Sequence, residues 1–224
     1  MNLQRLFFSA FCFVAAGFVL ACTQNQPSQV GSGTPGINTS AAPDTAIKLS
    51  VATFANGCFW CSEGVFEQLK GVVNVVSGYS GGEEKNPTYR QVSAGATGHA
   101  ESIQVWYHPN KISYPELLEV FFASHDPTTL NRQGPDVGAH YRSVIFYRDT
   151  TELWQAKKRI QELNQSGSFA NPIVTELVPF KEFWVAEDYH QDYYIGNSAD
   201  PYMRSVFQPK LKKVQEEFKD KLKE

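Results

Sequence analysis

The chain has 224 residues, enough for one domain with appendages. Its hydrophobic content of 42% suits a chain that builds its own core. A net charge of −3 excludes both the basic field that would suit nucleic acid and an acidic solvating tract.

Met1 to Arg5 is short and positively charged, and Leu6 to Leu20 is apolar and free of charge. The run closes on Val19-Leu20-Ala21-Cys22, with a small residue just before a cysteine. This is the layout of a lipoprotein-type leader over residues 1–21, with Cys22 exposed by cleavage and then lipidated. An ordinary secretory signal cut nearby and an uncleaved anchor are the alternatives. Each carries the mature chain out of the cytoplasm, and the lipoprotein reading holds it at a membrane. Thr23 to Ala46 consists mostly of Gln, Asn, Ser, Gly, Pro and Thr. Such a segment buries too little to offset the entropy of ordering it, so residues 22–46 read as a flexible tether. Residues 47–224 are then the folded domain.

Within the domain, Leu49 to Phe54 reads as a strand, which Asn56-Gly57 breaks. Phe59 to Leu69 has apolar residues near helical spacing and Gly71 just beyond its end. Val72 to Tyr79 is β-branched and reads as the returning strand, and the Gly-rich stretch Ser77 to Pro87 reads as a loop. Glu101 to Tyr107 is another strand. Ser113 and Glu116 have capping-box spacing and open a helix through Ser124. His125 to His140 reads as a long loop of the kind that is often functional. Arg142 to Tyr147 reads as a strand, Thr151 to Leu163 as an amphipathic helix, and Ile173 to Val178 as a strand. Phe207 to Leu222 reads as a charged helix. Two strand–helix–strand units predict an α+β fold: a two-layer sandwich of helices on a mixed sheet, with a ferredoxin-like core.

Of four cysteines, Cys12 lies in the leader and Cys22 at its end, so Cys58 and Cys61 alone belong to the domain. An oxidising compartment favours their pairing. Two cysteines three positions apart cannot staple distant parts of a fold, so their use is local chemistry. Cys58 stands at the strand-to-helix corner, near the positive end of the helix dipole and near unpaired N–H groups, which favours thiolate and predicts a lowered pKa. Three apart in a first helical turn, the two residues have a Cα separation of roughly 5 Å, within disulfide range. A bare C-x-x-C fits thiol–disulfide exchange, zinc ligation or accident. Zinc wants four ligands and there is no second cysteine pair; haem attachment would need His after Cys61, where Ser62 stands. No metal and no cofactor are expected. Taken alone, Glu101 reads as the polar face of a strand, and Tyr89 and Tyr141 as core or rim residues. His99, His140 and His190 read more readily as structural hydrogen-bonders than as catalysts.

The combination says more. Gly57-Cys58-Phe59-Trp60 with Glu63, Gly78-Tyr79-Ser80-Gly81-Gly82, Asn86-Pro87-Thr88-Tyr89-Arg90 and Thr97-Gly98-His99-Ala100-Glu101 occur in order. Asp136-Val137-Gly138, Tyr141-Arg142-Ser143 and Ala186-Glu187-Asp188-Tyr189-His190-Gln191 follow. Together these motifs, from about Val51 to Tyr194, resemble those of the A-type methionine sulfoxide reductases, the peptide-methionine (S)-S-oxide reductases. The resemblance implies reduction of methionine S-sulfoxide, free or in proteins, and repair of oxidised proteins. By position it implies Cys58 as nucleophile, Glu101 as the acid that protonates the sulfoxide oxygen, and Tyr89 and Tyr141 as donors to that oxygen. Phe59 and Trp60 would hold the substrate methyl group, and Asp136 would support the pocket's hydroxyl network. Many family members carry Gly where this chain has Cys61 and place resolving cysteines near the C-terminus, whereas no cysteine follows Tyr194 here. Cys61 is therefore the expected resolving thiol, recycled by a thioredoxin-like reductant; the alternative is an outside thiol, with Cys61 a small buried residue. A monomer is expected. Two other classes stay open on the residues alone: a membrane-tethered thiol–disulfide oxidoreductase, and a non-enzymatic lipoprotein that binds Met-rich surfaces.

Overall fold

The structure, a computed structural model, describes residues 48–224. The predicted leader, Cys22 and the whole of the tether lie outside the described residues.

Strand β1 (Ser50–Asn56) is the hub of the sheet. It pairs antiparallel with β3 (Ala100–Tyr107) on one side and with β6 (Ser143–Tyr147) on the other. With neighbours on both edges and cover on both faces, its residues 52–56 are all buried, so it reads as a continuous run rather than an alternation. Strand β2 (Val72–Ser80) pairs antiparallel with β3 and carries a bulge at Val72/Asn74. Two short edge strands complete the sheet: β7 (Glu176–Pro179), parallel to β6, and β8 (Phe183–Val185), antiparallel to β2. The order is β7-β6-β1-β3-β2-β8, a mixed sheet with helices packed on it, so the α+β class predicted from the sequence holds.

Helix α1 (Phe59–Phe66) is apolar nearly all round and buried nearly all round, as a helix covered on both sides must be. The sheet covers one side and the C-terminal segment the other. Helix α3 (Tyr114–Ala123) begins where its capping box predicts, with the Ser113 and Glu116 side chains exchanging bonds with each other's backbone N–H. Helix α4 (Thr150–Ser166) is capped by Asp149 and ends on Gly167 at φ 68°, a left-handed conformation that glycine tolerates. Among the described residues, no helix is long and apolar enough to cross a membrane.

Several predicted boundaries move. β2 runs on to Ser80, into the stretch predicted as loop, and a short helix α2 (Tyr89–Ser93) with its own Thr88/Gln91 capping box follows. The predicted loop 125–140 holds a two-residue hairpin, β4 (Arg132–Gln133) with β5 (Asp136–Val137). The strand predicted from Ile173 begins only at Glu176. Beyond His190 come a four-residue helix α5 (Tyr193–Gly196), a π-helical turn at Met203–Phe207 and helix α6 (Gln208–Glu217). The charged helix predicted from Phe207 to Leu222 thus ends at Glu217, and a 3-10 turn at Lys219–Lys221 follows.

Candidate active site

The corner between β1 and α1 is tightly specified. Gly57 has φ 95°, and a Cβ there would come within 2.7 Å of the Gln133 side chain, so both backbone and space demand glycine. Cys58 is the N-cap residue of α1. Its carbonyl accepts from the Cys61 and Ser62 N–H groups at 3.2 and 3.3 Å. The Ser62 hydroxyl donates to Asn56 Oδ1 at 2.7 Å, and Asn56 Nδ2 donates to the Ser124 hydroxyl at 3.0 Å, which ties the corner to the end of α3. Cys58 offers no side-chain cap, so the helix's first N–H group, that of Phe59, finds another acceptor: it donates to Glu101 Oε2 at 3.1 Å. That bond brings the carboxyl group of β3 to the start of the helix that carries both cysteines.

Around this point lies a cavity of about 390 Å³ lined by Cys58, Phe59, Trp60, Tyr89, Glu101, Asp136, Tyr141, Tyr193, Asp200 and Tyr202. Every domain residue to which the resemblance gives a site role is there except Cys61. That residue follows in the first turn of α1 and is 2% exposed. Both thiols are free. The Phe59 and Tyr89 rings stack at 6.5 Å, and Tyr193 lies flat on Trp60 at 3.8 Å and 10°. Tyr89 is held by its own N–H, which donates to Glu187 Oε1 at 2.9 Å, while the Tyr79 hydroxyl donates to Glu187 Oε2 at 2.8 Å. Tyr202 donates to Asp136 Oδ2 at 2.6 Å and lines the same cavity as Cys58.

Tyr193, Asp200 and Tyr202 are lining residues that the sequence reading missed, and Glu187 is a brace it did not assign. The motifs stop near Tyr194, and Tyr202 lies in a charged tail where a single tyrosine carries no spacing signal. The one available hint is aromatic density, with Tyr193, Tyr194 and Tyr202 close together in an otherwise polar stretch.

Burial dominates the electrostatics. Glu101 is 2% exposed, and desolvation, with the nearby Cys58 and Asp136 adding to it, raises its carboxyl well above the ordinary range against the opposing Phe59 N–H. The shift favours the protonated acid. Burial pushes the Tyr89 phenol up to about 12 and also raises Tyr141 and Tyr202, so all three hydroxyls keep their protons. Cys58 corrects the sequence expectation. Burial raises its thiol well above the usual value, and its hydrogen bond to Cys61 raises it further, so it rests as a thiol rather than a thiolate. The physical reason is local: Cys58 is 5% exposed, and the Phe59 N–H that could have favoured a thiolate is given to Glu101. Cys61 moves the other way, lowered first by its hydrogen bond from Cys58 and next, against burial, by the Lys210 ammonium. Among the described residues no group of His, Cys, Asp and Glu is placed to hold a metal ion.

What such a cavity can do is narrow. A thiol can attack an electrophilic atom whose oxygen is protonated as it leaves, with phenols supporting the developing charge and aromatic walls seating an apolar group. That defines a thiol-dependent oxide reductase.

The comparisons say which. The family model described as peptide methionine sulfoxide reductase matches residues 50–222. The peptide methionine sulfoxide reductase MsrA of Haloquadratum walsbyi is 52% identical over 171 residues, covering 76% of this chain and 97% of that protein. The protein of the same name from Deinococcus radiodurans is 50% identical over 171 residues, covering 76% and 83%. Among solved structures, reduced Mxr1 from Saccharomyces cerevisiae superposes with a TM-score of 0.63 at 38% identity, covering 67% of this chain and 86% of that one. Methionine sulfoxide reductase A of Corynebacterium diphtheriae gives 0.60 at 32% identity, covering 66% and 75%. This chain belongs to the peptide methionine sulfoxide reductase family. It is an oxidoreductase, and its substrate is methionine sulfoxide.

Proposed function

We propose that the cavity reduces methionine S-sulfoxide, free or within oxidised proteins, in two thiol steps. In the first, the Cys58 sulfur attacks the sulfoxide sulfur while Glu101 gives its proton to the oxygen, and the hydroxyls of Tyr89 and Tyr141 donate to that oxygen. The attack forms a bond between the two sulfurs as the S–O bond of the substrate breaks, and the released hydroxide then attacks the Cys58 sulfur, forming its S–O bond and breaking the bond between the sulfurs. Methionine leaves, Cys58 becomes a sulfenic acid, and the proton lost by the Cys58 thiol restores Glu101. Phe59 and Trp60 seat the methyl group, and Asp136 orients the Tyr202 hydroxyl beside the sulfur. In the second step the Cys61 thiol condenses with the sulfenic acid, releasing water and forming a Cys58–Cys61 disulfide. A thioredoxin-like dithiol then reduces that disulfide.

The observation that carries this reading is the Phe59 N–H to Glu101 bond of 3.1 Å. It sets a carboxyl group whose pKa burial raises at the corner that presents Cys58, on one cavity with both phenols. The resolving role of Cys61 is supported by its place in the first turn of α1, with its N–H on the Cys58 carbonyl at 3.2 Å, and by Cys58 and Cys61 being the cysteines of the domain. The sequence pattern supports the remainder of the reading: a lipoprotein leader over residues 1–21, lipid on Cys22, a tether over 22–46, and a monomeric catalytic domain over 47–224 held outside the cytoplasm at a membrane. The central strand order β6-β1-β3-β2, with antiparallel neighbours throughout, supports reading the core as ferredoxin-like.

The test is an assay on resolved R and S sulfoxide epimers with dithiothreitol, comparing wild type with Cys58→Ser. Turnover of the S epimer alone, abolished by the substitution, is expected. Equal turnover of both epimers, or activity that survives Cys58→Ser, would overturn the reading.

A further inference from the structure

The charge of the cavity is one-sided. None of the ten residues that line it is lysine, arginine or histidine, while three carry carboxyl groups: Glu101, Asp136 and Asp200. Glu101 is buried and pushed toward its protonated form. Asp136 and Asp200 are half-buried, and among the described residues neither has an ion-pair partner. Tyr202 fixes both of them. Its N–H donates to Asp200 Oδ1 at 2.8 Å, with the Met203 N–H on the same oxygen at 3.3 Å, and its hydroxyl donates to Asp136 Oδ2 at 2.6 Å. Asp200 therefore stands at the backbone end of Tyr202 and Asp136 at its phenol end, a tyrosine side chain apart. Tyr193, flat on Trp60 at 3.8 Å, adds aromatic surface to the same cavity. Unpaired carboxylates beside aromatic faces are the chemistry that receives an ammonium or a guanidinium.

The side chain of methionine sulfoxide has no net charge, so any charge the substrate brings lies at its backbone or on its neighbours. The free amino acid carries an ammonium and a carboxylate, and peptide linkage removes one or both. The backbone carbon that bears these groups is three bonds from the reacting sulfur, so a sulfur at Cys58 sets them inside or at the mouth of the same cavity. Asp136 is committed to the Tyr202 hydroxyl. Asp200 gives Oδ1 to backbone N–H groups, and among the described residues its Oδ2 accepts no hydrogen bond. From these contacts we infer that Asp200 is a specificity-determining residue: its carboxylate favours methionine sulfoxide with a cationic group close to its backbone and disfavours a free α-carboxylate. That cation has two sources, the α-ammonium of an N-terminal residue and the side chain of an adjoining lysine or arginine. The inference rests on the proposed sulfoxide chemistry and adds to it which sulfoxides the cavity prefers.

The experiment measures kcat/KM with dithiothreitol on four substrates, all S epimers of methionine sulfoxide. These are the uncharged N-acetyl methylamide, the methylamide with a free α-ammonium, the N-acetyl acid with a free carboxylate, and an N-acetyl, C-amidated dipeptide with lysine after the sulfoxide. Wild type is compared with Asp200→Asn and Asp200→Lys. Asparagine keeps Oδ1 for the Tyr202 N–H and loses the charge. The readout is the ratio between substrates within one enzyme, so a loss common to all of them cancels. At low salt the wild type should prefer a cationic substrate to the carboxylate by about tenfold, and the ratio should shrink as salt screens it. Asp200→Asn should bring the ratio to about twofold, and Asp200→Lys should invert it. Preference for the ammonium substrate or for the lysine dipeptide tells which source the cavity reads. Preference for neither, a ratio indifferent to salt, or a ratio unchanged in Asp200→Asn overturns the inference, and the wild-type salt series decides it even where a variant does not fold. A wild type without activity on the uncharged S substrate would instead overturn the proposed function.

Discussion

At Glu101 two demands compete. The Phe59 N–H favours a carboxylate, while burial at 2% exposure favours the neutral acid, and burial wins. Burial wins at Cys58 as well, so both reacting groups are pushed toward their protonated forms. That combination suits a reaction that moves a proton to the substrate oxygen at the moment the sulfur attacks. A glutamine at 101 keeps the hydrogen bond from Phe59 but has no acidic proton. Glu101→Gln should therefore slow the single-turnover reduction about 100-fold or more at pH 7. Because the acid form is the active one and its pKa is raised, the wild-type rate should hold through neutrality and fall as pH climbs through the carboxyl's raised value. The variant should lose that alkaline limb, as stopped-flow measurement across pH would show.

Helix α1 is held from behind by the segment that follows His190. Glu63 accepts from the Asp192 N–H at 3.0 Å, the Tyr194 hydroxyl donates to Glu67 at 2.6 Å, and Phe207 packs so close to Gly64 that any Cβ there would meet its ring at 2.7 Å. Glu63 is pushed up to about 8, by burial first and then by the nearby Glu67 and Asp192. The folded protein thus holds a proton that the unfolded chain releases at the ordinary carboxylate pKa. Stability from this group is present in acid and is lost as pH rises from that value through about 8. Glu63→Gln keeps an acceptor for Asp192 and cannot ionise, so its melting temperature relative to wild type should be higher at pH 9 than at pH 5. A difference independent of pH would contradict the assignment. At this scale the sequence was readable where local signals are strong. The Ser113/Glu116 box located α3, and the Asn56-Gly57 break located the corner. α1 ends at Phe66 rather than Leu69 because Leu69 turns out to pair with Leu222, a contact no local pattern announces. β8 and α2, of three and five residues, are too short to show a period.

Across the molecule, the site is assembled from stretches far apart in the chain: the β1–α1 corner, α2, β3, the β4–β5 hairpin, the turn at Tyr141 and the segment from Glu187 to Tyr202. The residues named in the sequence were legible through ordered motifs rather than through periodicity, which would have left Glu101 on the polar face of a strand. Tyr193 and Tyr202 were not legible because they reach the cavity only through long-range packing of a polar tail, and the resting state of Cys58 was misread because burial is not written in a helix N-terminus. The account stands on Cys58 taking the oxygen from the sulfoxide and Cys61 removing it. The direct measurement is a single turnover of Cys61→Ser on S-methionine sulfoxide without reductant, followed by trapping with a sulfenic-acid reagent and mass spectrometry of the peptides. The account predicts one equivalent of methionine and one trapped adduct, on Cys58; methionine formed without an adduct at Cys58, or an adduct on another residue, would contradict it.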